Sequence, residues 1–153
     1  MADAPLASQL AALQQRIADA CAATGRDAGQ VRLLAVSKTV PPGRLRQAHA
    51  CGLDAFGENY VQEALAKQDA LRDLALEWHF IGPIQSNKTA AIAQHFGWAH
   101  GVERLRIAQR LSDQRPPSLP PLNVCVQVNV SGEVSKSGCA PAEALALCQQ
   151  VAL

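Results

Sequence analysis

Short apolar stretches with strand character alternate with stretches of helical periodicity about five times along this chain. That alternation limits the fold more than any other feature. Val31–Val36 reads as a buried strand, Asp54–Gly57 as a short one and Glu77–Ile81 as a third. Trp98–Val102 is a weak fourth, and Leu122–Val130 is the clearest. Helices are predicted between them: near Arg44 to Cys51, from Glu58 to about Ala75, from an N-cap at Ser86 to about His95, from Glu103 to Gln114, and from Pro141 onward. A leading helix comes first, because Leu6, Leu10, Leu13, Ile17 and Cys21 recur at steps of three and four and Gly25 is placed to end it. Strict strand–helix alternation implies a parallel sheet with helical crossovers, so the fold class is α/β.

Composition narrows the function. With 14 basic against 13 acidic side chains, nucleic-acid binding by bulk electrostatics is excluded. No apolar run approaches the roughly 20 residues that a bilayer span needs, and Met1–Pro5 carries no secretory signal, so a cytoplasmic location is expected. The five cysteines, Cys21, Cys51, Cys125, Cys139 and Cys148, are odd in number and form no C-x-x-C. They read as reduced, mostly buried thiols. Neither they nor His49, His79, His95 and His100 show the paired spacing of a metal site. A length of 153 residues suits one domain, whereas a complete (β/α)₈ barrel takes about 250 and rarely fewer than about 200.

Strand parity carries further information. In Leu122–Val130, Leu122, Val124, Val126, Val128 and Val130 share one face, and Asn123, Cys125, Gln127 and Asn129 share the other. In the third strand Trp78 and Phe80 lie opposite Glu77 and His79. Parallel strands buried on both faces are apolar throughout. A polar face therefore either meets solvent or lines a polar cavity in a closed or closing sheet.

Functional residues of parallel α/β folds gather in the loops after the strands' C-terminal ends. Three of the four lysines, Lys38, Lys88 and Lys136, fall in or beside such loops, and only Lys67 lies on a helix body. Lys38 ends an apolar strand and shares parity with Leu34 and Val36, so its stem is expected to leave from a buried face. A nucleophilic amine needs its cation disfavoured, and desolvation at a strand end supplies that bias. The competing reading is a lysine snorkelling to water. Asn59, His79, Asn129 and Ser137 could hydrogen-bond a polar ligand, or could serve as turn, core and capping residues. Ser86, Asn87 and Lys88 could take an anion, although an ordinary N-cap explains Ser86 equally well.

Four strings, Leu34–Thr39 (LAVSKT), Phe56–Glu63 (FGENYVQE), Trp78–Lys88 (WHFIGPIQSNK) and Ser135–Gly138 (SKSG), occur in order across essentially the whole chain. With them the chain resembles the pyridoxal phosphate homeostasis protein family, whose barrel is related to the N-terminal domain of alanine racemase. The resemblance implies a TIM-barrel-like fold holding pyridoxal 5′-phosphate (PLP) as a Schiff base on the lysine after the first strand, by motif Lys38. It also implies that Asn59, His79 and Asn129 lie in or near the cofactor pocket, with Lys136 and Gly138 at its rim. Family members run to well over 200 residues. The chain is thus expected to be a single, incomplete barrel domain over 1–153: a leading helix (1–25) and about five βα units of eight (31–153), without the late loops that grip the phosphate. The implied function is intracellular PLP (vitamin B6) and amino-acid homeostasis without turnover, with apo-enzymes as recipients of the cofactor and a family-like monomer. Two alternatives stand beside it. One is a PLP-dependent racemase or lyase, which would need a second acid/base, Tyr60 being the only tyrosine. The other is a fragment with weak or no cofactor retention that self-associates through open sheet edges.

Overall fold

The computed structural model describes residues 5–152. In chain order its elements are α1 Leu6–Ala23, β1 Ala35–Val36, α2 Pro42–Ala50, β2 Ala55–Glu58, α3 Val61–Ala70, β3 Glu77–Phe80, α4 Thr89–His95, β4 Trp98–Val102, α5 Leu105–Asp113, β5 Asn123–Val126 and α6 Pro141–Val151. The strands form one all-parallel sheet in the order β1-β2-β3-β4-β5. Each crossover helix therefore returns the chain one strand along, always in the same direction, as in a barrel wall. No helix among the described residues is long and apolar enough to cross a membrane.

Register separates the two faces of the sheet. Ala35 pairs with Phe56 and Phe56 with Trp78, while Glu58 pairs with Phe80 and Phe80 with Ala99. These residues face the helices. Phe80 and Ala99 join Val61, Ala64, Ile92, Phe96, Ile107 and Leu111 in the main core. Phe56 joins Leu45, Ala48 and Leu71 in a second cluster, against which Leu6 of α1 packs. The opposite face carries Val36, Gly57, His79 and Trp98 in register. The predicted parities of Trp78/Phe80 and Glu77/His79 hold.

Several boundaries differ from expectation, each for a reason of pairing. The first strand is two residues long, not six. β2 begins only at Ala55, so residues 31–33 outrun their neighbour and have no ladder to join. Arg32 ties this segment down instead, with its guanidinium 2.9 Å from Glu77 and 3.4 Å from Asp54. The fifth strand stops at Val126, not Val130, because β4 has a bulge between Ala99 and Val102 and ends there. Beyond it the chain pairs with its own return segment, Val128 bridging to Cys139. Glu58 ends β2 and does not start a helix. Helix α4 begins at Thr89, not at Ser86. The Ser86 carbonyl accepts from Thr89 Oγ1 at 2.9 Å and from Arg110 Nε at 3.2 Å, so Ser86 serves this turn through its backbone, not as a side-chain cap.

Helix α1 ends as its sequence predicts. Gly25 takes φ +66°, its N–H reaches the Ala22 carbonyl, and Arg26 N–H reaches Cys21. That is the Schellman pattern, which needs a residue with positive φ. The apolar stripe of α1 is only partly covered, with Leu10 and Cys21 buried and Leu13 exposed.

Candidate functional site

The site begins at the turn that ends β1. Val40 N–H returns to the Ser37 carbonyl at 3.0 Å, which places Lys38 and Thr39 at the turn's two central positions. Thr39 has φ +62°, and it is the one described non-glycine residue with positive φ. Positive φ at the second central position is the mark of a type II turn, where glycine or asparagine is the usual occupant. A β-branched residue there is strained.

A buried ionic cluster holds this turn. Lys67 on α3 is 4% exposed, and Glu58 is fully buried. Lys67 Nζ donates to the Ser37 carbonyl at 2.6 Å, to Glu58 Oε1 at 2.7 Å and to Glu63 Oε1 at 2.6 Å. Ser37 Oγ donates to Glu58 Oε1 at 2.5 Å, and Thr39 N–H donates to Glu63 Oε1 at 2.6 Å. The hydrogen bond from Lys67 holds the Glu63 carboxyl below the usual range, reinforced by the Thr39 N–H and the Lys67 charge. Sequence reading left Lys67 as an ordinary helix-body lysine. The signal that finds it is spacing: Val61, Ala64, Lys67 and Leu71 recur at steps of three and four, and all four are buried.

Lys38 takes no part in this cluster. Its amine makes no hydrogen bond or ion pair among the described residues, and the residue is exposed. The expectation that its stem leaves from a buried face is not met, since Val36, on the same face, is 55% exposed. Among the described residues the five-stranded sheet has helices on one face only, and nothing covers β1 on the other.

Farther along the open face lies an aromatic and imidazole cluster. His79 stacks on Trp98, with centroids 5.4 Å apart and planes 7° from parallel. Its Nδ1 lies 3.0 Å from His100 Nε2. Its Nε2 is 2.9 Å from Glu77 Oε1, yet lies off the line that a hydrogen bond requires, so this buried nitrogen is left without a hydrogen-bond partner. The tautomer that suits both neighbours has the His100 Nε2–H donating to His79 Nδ1, leaving the His79 proton on the Glu77 side. Burial pushes both imidazoles below their ordinary pKa, for His79 against the opposing pull of Glu77.

The remaining predicted residues are placed as follows. Asn59 is half-buried, directly after β2, on the open-face parity of Gly57. Asn129 is spent on its own loop, donating to the carbonyls of Glu133 and Lys136 and accepting from Gly132 N–H. Gly138 has φ +127°, and a Cβ there would come within 2.6 Å of Asn129 N. Its N–H donates to Glu103 Oε2 at 3.1 Å. Ser137 gives its carbonyl to Gln127 Nε2. Lys136 is exposed in the 131–137 loop, and Lys88 reaches toward Gln62 at 3.5 Å. Lys38 and Asn59 follow the C-terminal ends of the neighbouring strands β1 and β2, and His79 lies on β3 beside them. Asn129, Lys136 and Gly138 form a separate, internally bonded loop after β5.

Comparison with known proteins identifies the family. The family model described as alanine racemase, N-terminal domain, matches residues 8–153. The pyridoxal phosphate homeostasis protein of Pseudomonas aeruginosa is 64% identical over 146 residues, covering 95% of this chain and 64% of its own. The protein of the same name from Escherichia coli K12 is 49% identical over 150 residues, covering 96% of this chain and 64% of its own. The chain thus spans a little under two thirds of the length of these relatives. The solved structure of PipY from Synechococcus elongatus with PLP bound superposes with a TM-score of 0.71 at 37% identity, over 88% of this chain and 63% of that one. A family-model match over nearly the whole chain, on a sheet that runs β1 to β5 in sequence order, means that this chain belongs to the alanine racemase N-terminal domain family.

Proposed function

We propose that this chain binds PLP as a Schiff base on Lys38 and serves PLP and amino-acid homeostasis without turning over a substrate. The observation that carries the reading is the uncommitted Lys38 amine at the C-terminal end of β1, in contrast to Lys67, whose three donor positions are filled inside the protein. The names of the relatives and the PLP-bound structural neighbour support it.

The residues present fit the group. Bound PLP supplies an aldehyde, whose condensation with Lys38 Nζ forms one C=N bond, releases one water and needs no oxidant or reductant. The turn at Ser37–Val40 presents the amine, and Asn59 offers an amide on the same face. His79 has a buried nitrogen without a hydrogen-bond partner, while Trp98 and His100 fix its ring. In this reading apo-enzymes receive the cofactor in the cytoplasm, and the protein acts as a monomer.

The test is absorbance. Protein mixed with PLP is expected to turn yellow and lose the colour on borohydride reduction, and Lys38→Ala should abolish the stoichiometric part of that signal. Equal colour in Lys38→Ala would contradict the assignment. Racemisation of an amino acid that is lost in Lys38→Ala would overturn the absence of turnover.

A further inference from the structure

The ionic cluster makes no hydrogen bond to the Lys38 side chain, yet it grips the backbone on both sides of Lys38. Lys67 Nζ holds the Ser37 carbonyl directly, and Glu63, held by the same ammonium, takes the Thr39 N–H. Between those two anchors stands Lys38, in a turn whose next residue is forced to φ +62°. A threonine keeps that conformation only where its surroundings over-determine it. Here they do. Glu58 supplies the second carboxylate, so the buried ammonium stays paired, and Ser37 is anchored twice more, by its N–H to the Gly57 carbonyl at 2.9 Å and by its Oγ to Glu58.

We infer that Lys67 and Glu63 are positioning residues for Lys38: they lock the strained turn that presents its amine to the open face. The inference rests on the proposed Schiff base at Lys38 and assigns to it a supporting shell on the opposite side of the sheet. A nucleophile held within a narrow range of geometry reacts faster than one on a relaxed loop.

Glu63→Ala is the clean variant. It removes the Thr39 acceptor but leaves Lys67 paired with Glu58, so no buried charge is stranded. The melting midpoint should then stay within about 4 °C of the parent's, while hydrogen exchange at the Thr39 amide loses its protection. The rate of Schiff-base formation with PLP, trapped by borohydride and quantified on the Lys38 peptide, should fall about tenfold, equivalent to about 1.4 kcal/mol. Glu63→Gln keeps an acceptor oxygen for the Thr39 N–H, and its rate should stay within about threefold of the parent's. The inference is overturned by a parental rate or unchanged Thr39 protection in Glu63→Ala, or by equal slowing in Glu63→Ala and Glu63→Gln. Lys38→Ala, run alongside, separates the two ideas. If it still gives the parent's yield of adduct, the Schiff-base assignment itself has failed, whatever the Glu63 variants do.

Discussion

Individual residues here do opposite work on the two faces of one thin sheet. Lys38 and Lys67 are both lysines near the end of β1, but one is exposed with no hydrogen bond among the described residues and the other spends its charge inside. His79 and His100 form a second pair with a clear sign. Facing nitrogens 3.0 Å apart share a single proton, so protonating both rings puts two N–H groups against each other. The folded pKa of each is depressed from 6.5 by burial, so the unfolded chain binds more protons just below that value. Stability is therefore full above about pH 6.5 and is lost as pH falls through the lower folded values. The groups around the pair are Glu77, with Arg32 on it, and Trp98. Urea unfolding from pH 7.5 to 5 should show this decline, and His100→Phe should flatten it. An equally steep decline in His100→Phe would show that other groups set it.

At the scale of elements, the Lys67 cluster joins three of them: α3, the end of β2 and the turn after β1. Lys67→Met would leave the fully buried Glu58 carboxylate without its cation, at a cost of about 3–5 kcal/mol. Lys67→Met with Glu58→Gln should recover more than half of that, and a double-mutant cycle by urea unfolding measures the coupling. Strictly additive losses would show that the two side chains do not act as a pair. The same elements show what was legible in the sequence. The order of strands and helices and the two-faced parity of β3 follow directly from periodicity, because burial of each face is a local pattern. The lengths of β1 and β5 do not. Val31–Val36 is as apolar as a strand, but a strand exists only where a neighbour runs beside it, and β2 starts too late. Val128 and Val130 keep the period of β5, but β4 gives out at Val102. The site was half legible. Lys38 stands out by position, and Asn59 and His79 by parity. Lys67 was hidden by the ordinary assumption that a helix lysine faces water, although its place on the Val61–Leu71 stripe contradicts it. Asn129 and Gly138 stand out by motif, but the hydrogen bonds and the positive φ with which they build the loop after β5 depend on contacts that no periodicity reveals.

For the whole molecule, five parallel strands in sequence order make a wall with helices on one side and chemistry on the other. The helix-facing side supplies the cores around Phe56 and Phe80 and the lock on the turn. The open side carries His79 from β3 and Trp98 and His100 from β4, and Lys38 and Asn59 follow the ends of β1 and β2. This division lets the sheet's stability and the presentation of one amine be set by different residues. The most direct measurement is peptide mapping by mass of the borohydride-reduced PLP adduct. The reduced pyridoxyl mass should sit on the peptide containing Lys38, at close to one per chain. A dominant adduct on Lys88, Lys136 or the N-terminal amine, with Lys38 unmodified, would contradict the assignment.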